Sequence, residues 1–80
     1  MKTREAVVIR LEDLCIKEGK SPCQLAYDAG VPHSTVKSII NGHSKNPGIV
    51  SIKKLCDGLN ISIYDFFMDV RFRELEQEIE

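Results

Sequence analysis

Between Ser21 and Gly42 the chain reads SPCQLAYDAGVPHSTVKSIING, with Gly30 near its middle. Glycine takes the left-handed backbone conformation of a tight interhelical turn without steric cost. The stretch therefore reads as two short helices joined through Ala29-Gly30-Val31. The first is expected from about Pro22 to Ala29. Ser21 is a good N-cap, Pro22 suits the first helical position, and Gln24 completes an S-x-x-Q capping box. Leu25 and Ala26 face inward. The second is expected from Pro32 or His33 to Ile40, with Asn41-Gly42 as its stop. At 100° per residue, Val36, Ile39 and Ile40 span roughly a 100° apolar arc. His33, Ser34, Lys37, Ser38 and Asn41 fill a polar face on the other side, with no acid on it.

The flanking sequence supplies helices for this pair to lean on. Val7, Leu11, Leu14 and Cys15 fall on one face of a first helix from about Thr3 to Glu18, which Gly19 ends. After the loop His43–Gly48, a fourth helix is expected from about Ile49 to Leu59, with Gly48 as a tolerable N-cap. Its inward face carries Ile52, Leu55, Cys56 and Leu59. A fifth opens at Ser62, with Asp65 as the capping-box acid and Ile63, Phe66 and Phe67 plugging the core. From Met68 on, Phe72, Leu75 and Ile79 have the spacing of a short sixth helix, and Glu74, Glu76, Glu78 and Glu80 would cover its solvated face. No segment alternates as a strand does. The expected fold is all-α: a compact five-helix bundle over residues 1–69 with an acidic helical tail over 70–80.

Eighty residues, 42% of them apolar and 29% charged, make one soluble domain at most. No apolar run approaches the ~20 residues that span a membrane. The four apolar residues Ala6 to Ile9 are too few for a signal-peptide core. Cys15, Cys23 and Cys56 are odd in number, and no two have C-x-x-C spacing, so a disulfide scaffold or zinc site is not expected. Reduced thiols packed as small apolar groups, in a cytoplasmic protein, are the expectation. His33 and His43 lack Cys or Asp partners at ligand spacing. Ser34 lacks a G-x-S-x-G turn and a His–Asp pair. Neither metal, cofactor nor enzymatic activity is expected.

Net charge is −1, and its distribution is lopsided. Residues 1–28 balance, residues 29–56 carry Lys37, Lys45, Lys53 and Lys54 and no acid, and residues 57–80 carry seven acids against Arg71 and Arg73. The acid-free segment is the one that contains the second short helix. Two helices meeting at a glycine turn, the second outward-facing and basic, are the layout that places a recognition helix in the major groove of DNA. Ala26 is small enough for the helices to cross closely, and Val31 and Val36 pin the second helix to the core.

On Gln24-Leu25-Ala26, Gly30-Val31, Ser34-Thr35-Val36, Ile39 and Asn41-Gly42, the chain resembles the phage-type repressors and Cro-like regulators of the XRE-like helix-turn-helix family. The downstream run SIKKLCDGLNISIYDFF is similar to that family's fourth and fifth helices, so the resemblance covers about residues 5–67. It implies a lambda-repressor-like bundle and a transcriptional regulator, expected as a repressor, bound to double-stranded DNA. A homodimer on a palindromic site is the expected form. By position, His33, Ser34, Lys37 and Ser38 would contact base edges, and Asn41, His43 and Lys45 would contact phosphates. Many members have a phosphate-binding Gln at the first position of helix two. This chain has Pro22 there, leaving Ser21, Gln24 and Tyr27 to take over that backbone contact. The four lysines of the middle segment suggest about three to five phosphate contacts per monomer.

A second expectation belongs to another class. Pro22, a reading face without Arg and the acidic tail also suit a protein-interaction module, or an antitoxin-like protein, that keeps the fold with weak DNA binding. The stripe Phe72, Leu75, Ile79 would then meet a protein partner, seal a dimer, or fold back on helices one and five.

Overall fold

The computed structural model describes residues 1–79. Among them regular structure is wholly helical: α1 Thr3–Glu18, α2 Pro22–Ala29, α3 His33–Ile40, α4 Ile49–Gly58, α5 Ile63–Phe67, and a 3-10 turn Val70–Arg73. Local chemistry sets most of these bounds. Gly19 and Gly30 end α1 and α2 with φ near 66° and 67°. Ser21 and Ser62 cap α2 and α5, each hydroxyl accepting from the backbone N–H three residues on, at 3.1 and 3.0 Å. Pro32 and Gly48 occupy the N-cap positions of α3 and α4. The capping box expected at α2 is half made, because the Gln24 amide donates to Asp28 Oδ1 (2.8 Å).

The core takes the expected faces: Val7, Leu11, Leu14 and Cys15 from α1, Leu25 and Ala26 from α2, Val36 and Ile39 from α3, Ile52, Leu55 and Cys56 from α4, then Leu59 and Phe66. Phe66 is the largest fully buried side chain. Ile63 and Phe67 pack only partly against this cluster. Cys15 and Cys56 are buried and burial pushes both thiols up, whereas Cys23 is exposed rather than packed as expected. Among the described residues, no helix is long and apolar enough to cross a membrane.

A five-residue helix leaves most of its carbonyls without partners. Arg10 supplies two for α5, its Nε donating to Phe66 O and its Nη2 to Asp65 O, both at 2.8 Å. The same guanidinium lies 3.7 Å from Asp69 Oδ2. Arg71 then joins Asp69 (3.3 Å) to Asp13 on α1 (2.7 Å). Lys20 ties α2 to α4, donating to Asp28 Oδ2 at 2.7 Å and to Gly58 O at 2.6 Å.

At the end of α4 it is Asn60, with φ 58°, that takes the left-handed conformation. Gly58 does other work: a Cβ built there would lie 3.0 Å from the Ala29 backbone nitrogen and 3.0 Å from its Cβ. The missing side chain lets α4 lie directly on the end of α2. Gly58→Ala sets a helix-propensity gain of about 1 kcal/mol against overpacking of about 1–3 kcal/mol. Ala29 is held by the turn that follows, so overpacking wins. The expected result is a lower denaturant midpoint at unchanged m-value; a raised midpoint would show that α2 yields freely.

The tail departs from expectation. No sixth α-helix forms over the described residues; Glu80 lies outside them. After the 3-10 turn the chain runs back along the start of α1. Phe72 stacks edge-on against Phe67 (centroids 4.9 Å, 68°), Leu75 is half-buried, and Ile79 is 81% exposed. The acids do not form a solvated helix face. Glu76 Oε2 meets the Met1 ammonium at 2.9 Å, and Glu76 N–H donates to Met1 O at 3.0 Å. Glu78 Oε2 accepts from Thr3 N–H (3.2 Å) and Thr3 Oγ1 (2.9 Å). Hydrogen bonding to the ammonium holds the Glu76 carboxyl below its ordinary range, and the Thr3 N–H and hydroxyl do so for Glu78. The reason is electrostatic. A helix over the tail would set Glu74 and Glu78 as a repelling i,i+4 pair near its own negative end. At the start of α1, Glu78 meets the Thr3 N–H at the positive end of a helix dipole and Glu76 meets the Met1 ammonium.

Candidate nucleic-acid interface

α3 is held from behind and open in front. Val36 and Ile39 are 0% and 2% exposed, and Val31 and Ile40 pack partly against the same cluster. The turn before it is closed by Val31 N–H donating to Ala26 O at 3.1 Å, with Gly30 left-handed between. Ala26 is buried at the crossing of α2 and α3, as its size suggested. Behind α3 the chain folds over its end: the Asn41 N–H donates to Lys37 O (2.9 Å), and the N–H groups of His43 and Ser44 both donate to Ser38 O (3.0 Å). Gly42, with φ 76°, makes that reversal.

On the open side His33, Ser34 and Lys37 are exposed and Ser38 is half-buried. Asn41, His43 and Lys45 continue this face as exposed residues of the following loop. Ser21, Gln24 and Tyr27 are exposed on α2, Tyr27 at 83%. Two of these three already have partners. Ser21 Oγ caps α2, and Gln24 is turned onto Asp28. Tyr27 keeps its side chain free of hydrogen bonds among the described residues.

The structure adds residues that the sequence reading passed over. Thr35, Ser44 and Ser51 join Ser34 and Ser38 along a shallow groove between α3 and the start of α4, floored by Ile39, Pro47 and Gly48. Three of its hydroxyls come from elements distant in sequence or from the back of a helical period, so spacing alone did not flag them. Hydroxyls both donate and accept, which suits base edges and bridging water alike.

The electrostatics of this face are one-sided. Lys37, Lys45 and Lys54 make no ion pair among the described residues, whereas Lys53 is engaged by Asp57. The basic segment thus offers three free lysines rather than four. Asp28, the acid of the 21–42 stretch, is offset by Lys20, and hydrogen bonds from Lys20 and then Gln24 hold its carboxyl below the ordinary range. Among the described residues, no three His, Cys, Asp or Glu side chains are grouped to hold a metal ion.

Comparison with known proteins agrees with this geometry. The model of the Cro/C1-type HTH DNA-binding domain matches residues 10–71. The crystal structure of the prophage Lp1 protein 11 is similar at 37% identity and a TM-score of 0.80, over 94% of this chain and 100% of that one. A mutant of the restriction-modification controller protein C.Esp1396I shares the fold, with a TM-score of 0.73 at 23% identity over 84% of this chain and 86% of that one. No curated protein matches.

Proposed function

This chain belongs to the Cro/C1-type HTH DNA-binding domain family, and on that premise we propose that it is a cytoplasmic transcriptional repressor of duplex DNA, acting without a cofactor. One observation carries the reading. α3 buries Val36 and Ile39 and half-buries Ile40, presents hydroxyls and a free lysine outward, and has no uncompensated acid beside it. In the major groove, Lys37 or His33 donates to the N7 or O6 of guanine, and Ser34 and Ser38 adapt to either donor or acceptor edges. Asn41, His43 and Lys45 meet the phosphates that flank the groove, and Tyr27 with Ser21 and Gln24 meets the other side. The reading face has no Arg, so water and DNA shape carry part of the discrimination.

The binding unit in this proposal is a symmetric dimer. Ile49, Tyr64, Met68 and Val70 are 60%, 70%, 58% and 71% exposed around a hollow backed by Phe67 and Phe72. An apolar patch of that kind on a small domain marks a protein–protein contact, and a two-fold interface presents the same patch from both copies. In this proposal the partner face lies on α5 and the 3-10 turn, not on the stripe through Ile79.

Retention on bulk duplex DNA tests the reading. The protein is expected to bind at low salt and to elute as salt rises, with log affinity falling by about 0.9 per phosphate contact for each unit of log salt. Passage through the column at every salt concentration would favour the protein-interaction module instead.

A further inference from the structure

We propose that Arg4, at the start of α1, is a phosphate-binding residue of the same interface, an inference that rests on the DNA-binding reading above. Its guanidinium lies at the turn that ends α3: a Cβ built on Gly42 would be 3.6 Å from Arg4 Nη1. Arg4 lines one shallow groove together with Glu5, Val8, Ile40, Asn41, Gly42 and Ser44. That is the turn whose Asn41, His43 and Lys45 face the DNA backbone in the proposed complex. Helix α1, remote in sequence, thus delivers a cation to the end of the recognition helix.

Arg4 is free to act. It is exposed and makes no hydrogen bond or ion pair among the described residues. Arg10 and Arg71 are committed to carbonyls and carboxylates of the fold. The acids around Arg4 take their hydrogen bonds from other groups, although the Arg4 charge also helps hold the Glu78 carboxyl below its ordinary range. Glu5 Oε1 accepts from the Lys2 N–H at 3.1 Å, and Glu78 Oε2 is taken by Thr3. Between Arg10 and Arg71 the sequence has no Arg, so every other cation offered to phosphate in this region is Lys or His. A planar guanidinium grips a phosphate with two parallel N–H donors, which an ammonium does not.

The test is the salt dependence of duplex-DNA affinity for the full chain, compared across wild type, Arg4→Ala, Arg4→Lys and Lys17→Ala. Lys17 removes the same charge from the last turn of α1, roughly 20 Å along the helix at 1.5 Å per residue, and it too is unpaired. Each variant is checked for an unchanged unfolding midpoint. Arg4→Ala is expected to weaken binding to all sequences alike and to make the log–log salt slope shallower by about 0.9 per protomer. Arg4→Lys should keep the slope at lower affinity, and Lys17→Ala should leave it at the wild-type value. An unchanged slope in Arg4→Ala, or an equal change in Lys17→Ala, overturns the assignment while leaving the DNA-binding reading in place. A flat slope in the wild type overturns both.

Discussion

Alanine at both Lys37 and Ser38 is expected to reduce affinity for the protein's selected site by at least about 10³-fold and to leave non-specific binding far less affected. A good base contact is worth about 1–3 kcal/mol of discrimination. Two such contacts in each half of a dimer, taken at the low end, give about 4 kcal/mol, and 1.4 kcal/mol is tenfold. Folding should survive. Lys37 is exposed and unpaired, and the link between Ser38 and the following turn runs through its backbone oxygen, which alanine retains. Lys53→Ala is the matched control, because that lysine is already engaged by Asp57. Titration of labelled duplexes with and without the selected site reads both quantities. Intact discrimination in the double variant would mean that α3 is not the reading helix.

The second large effect concerns the core that holds α3 in place. Phe66→Ala is expected to cost about 3–5 kcal/mol. An 80-residue domain has a total stability of roughly 4–12 kcal/mol, so the variant should be near its threshold at room temperature. Phe66 is 1% exposed and its ring packs against those of Phe67 and Phe72, with centroids 5.0 and 6.4 Å away. Its loss undercuts α5 and the tail network seated on Asp69 together. Phe72→Ala, at a half-buried site, should cost less than half as much. Denaturant unfolding followed by circular dichroism measures both. A loss under about 1 kcal/mol for Phe66→Ala would place the main core elsewhere.

The helices were readable because their stops and caps are local. Gly19, Gly30, Ser21, Ser62 and Gly48 act within one turn of themselves, and the observed bounds follow them. α3 was readable because a buried arc and a polar arc alternate at the helical period. What escaped depends on contacts between remote parts of the chain. The tail has helical spacing at Phe72, Leu75 and Ile79, yet its carboxylates find stronger partners at the start of α1, a preference no window of local sequence contains. Gly58 looks like an ordinary weak helix residue until α2 lies against it. Thr35, Ser44 and Ser51 become one groove only when the loop after α3 returns to α4. Lys53 counts as a free cation in sequence and as one of a pair in three dimensions.

The central claim is that α3 reads a specific duplex sequence as part of a dimer. Selection from a random duplex pool at about 100 mM salt, where non-specific binding is weakened, tests it most directly. The expected result is a palindromic consensus with half-sites about ten base pairs apart, centre to centre, whose bases are then assigned to His33, Ser34, Lys37 and Ser38 by single substitutions. A pool that shows no enrichment, from protein that unfolds cooperatively in the same buffer, would contradict the claim.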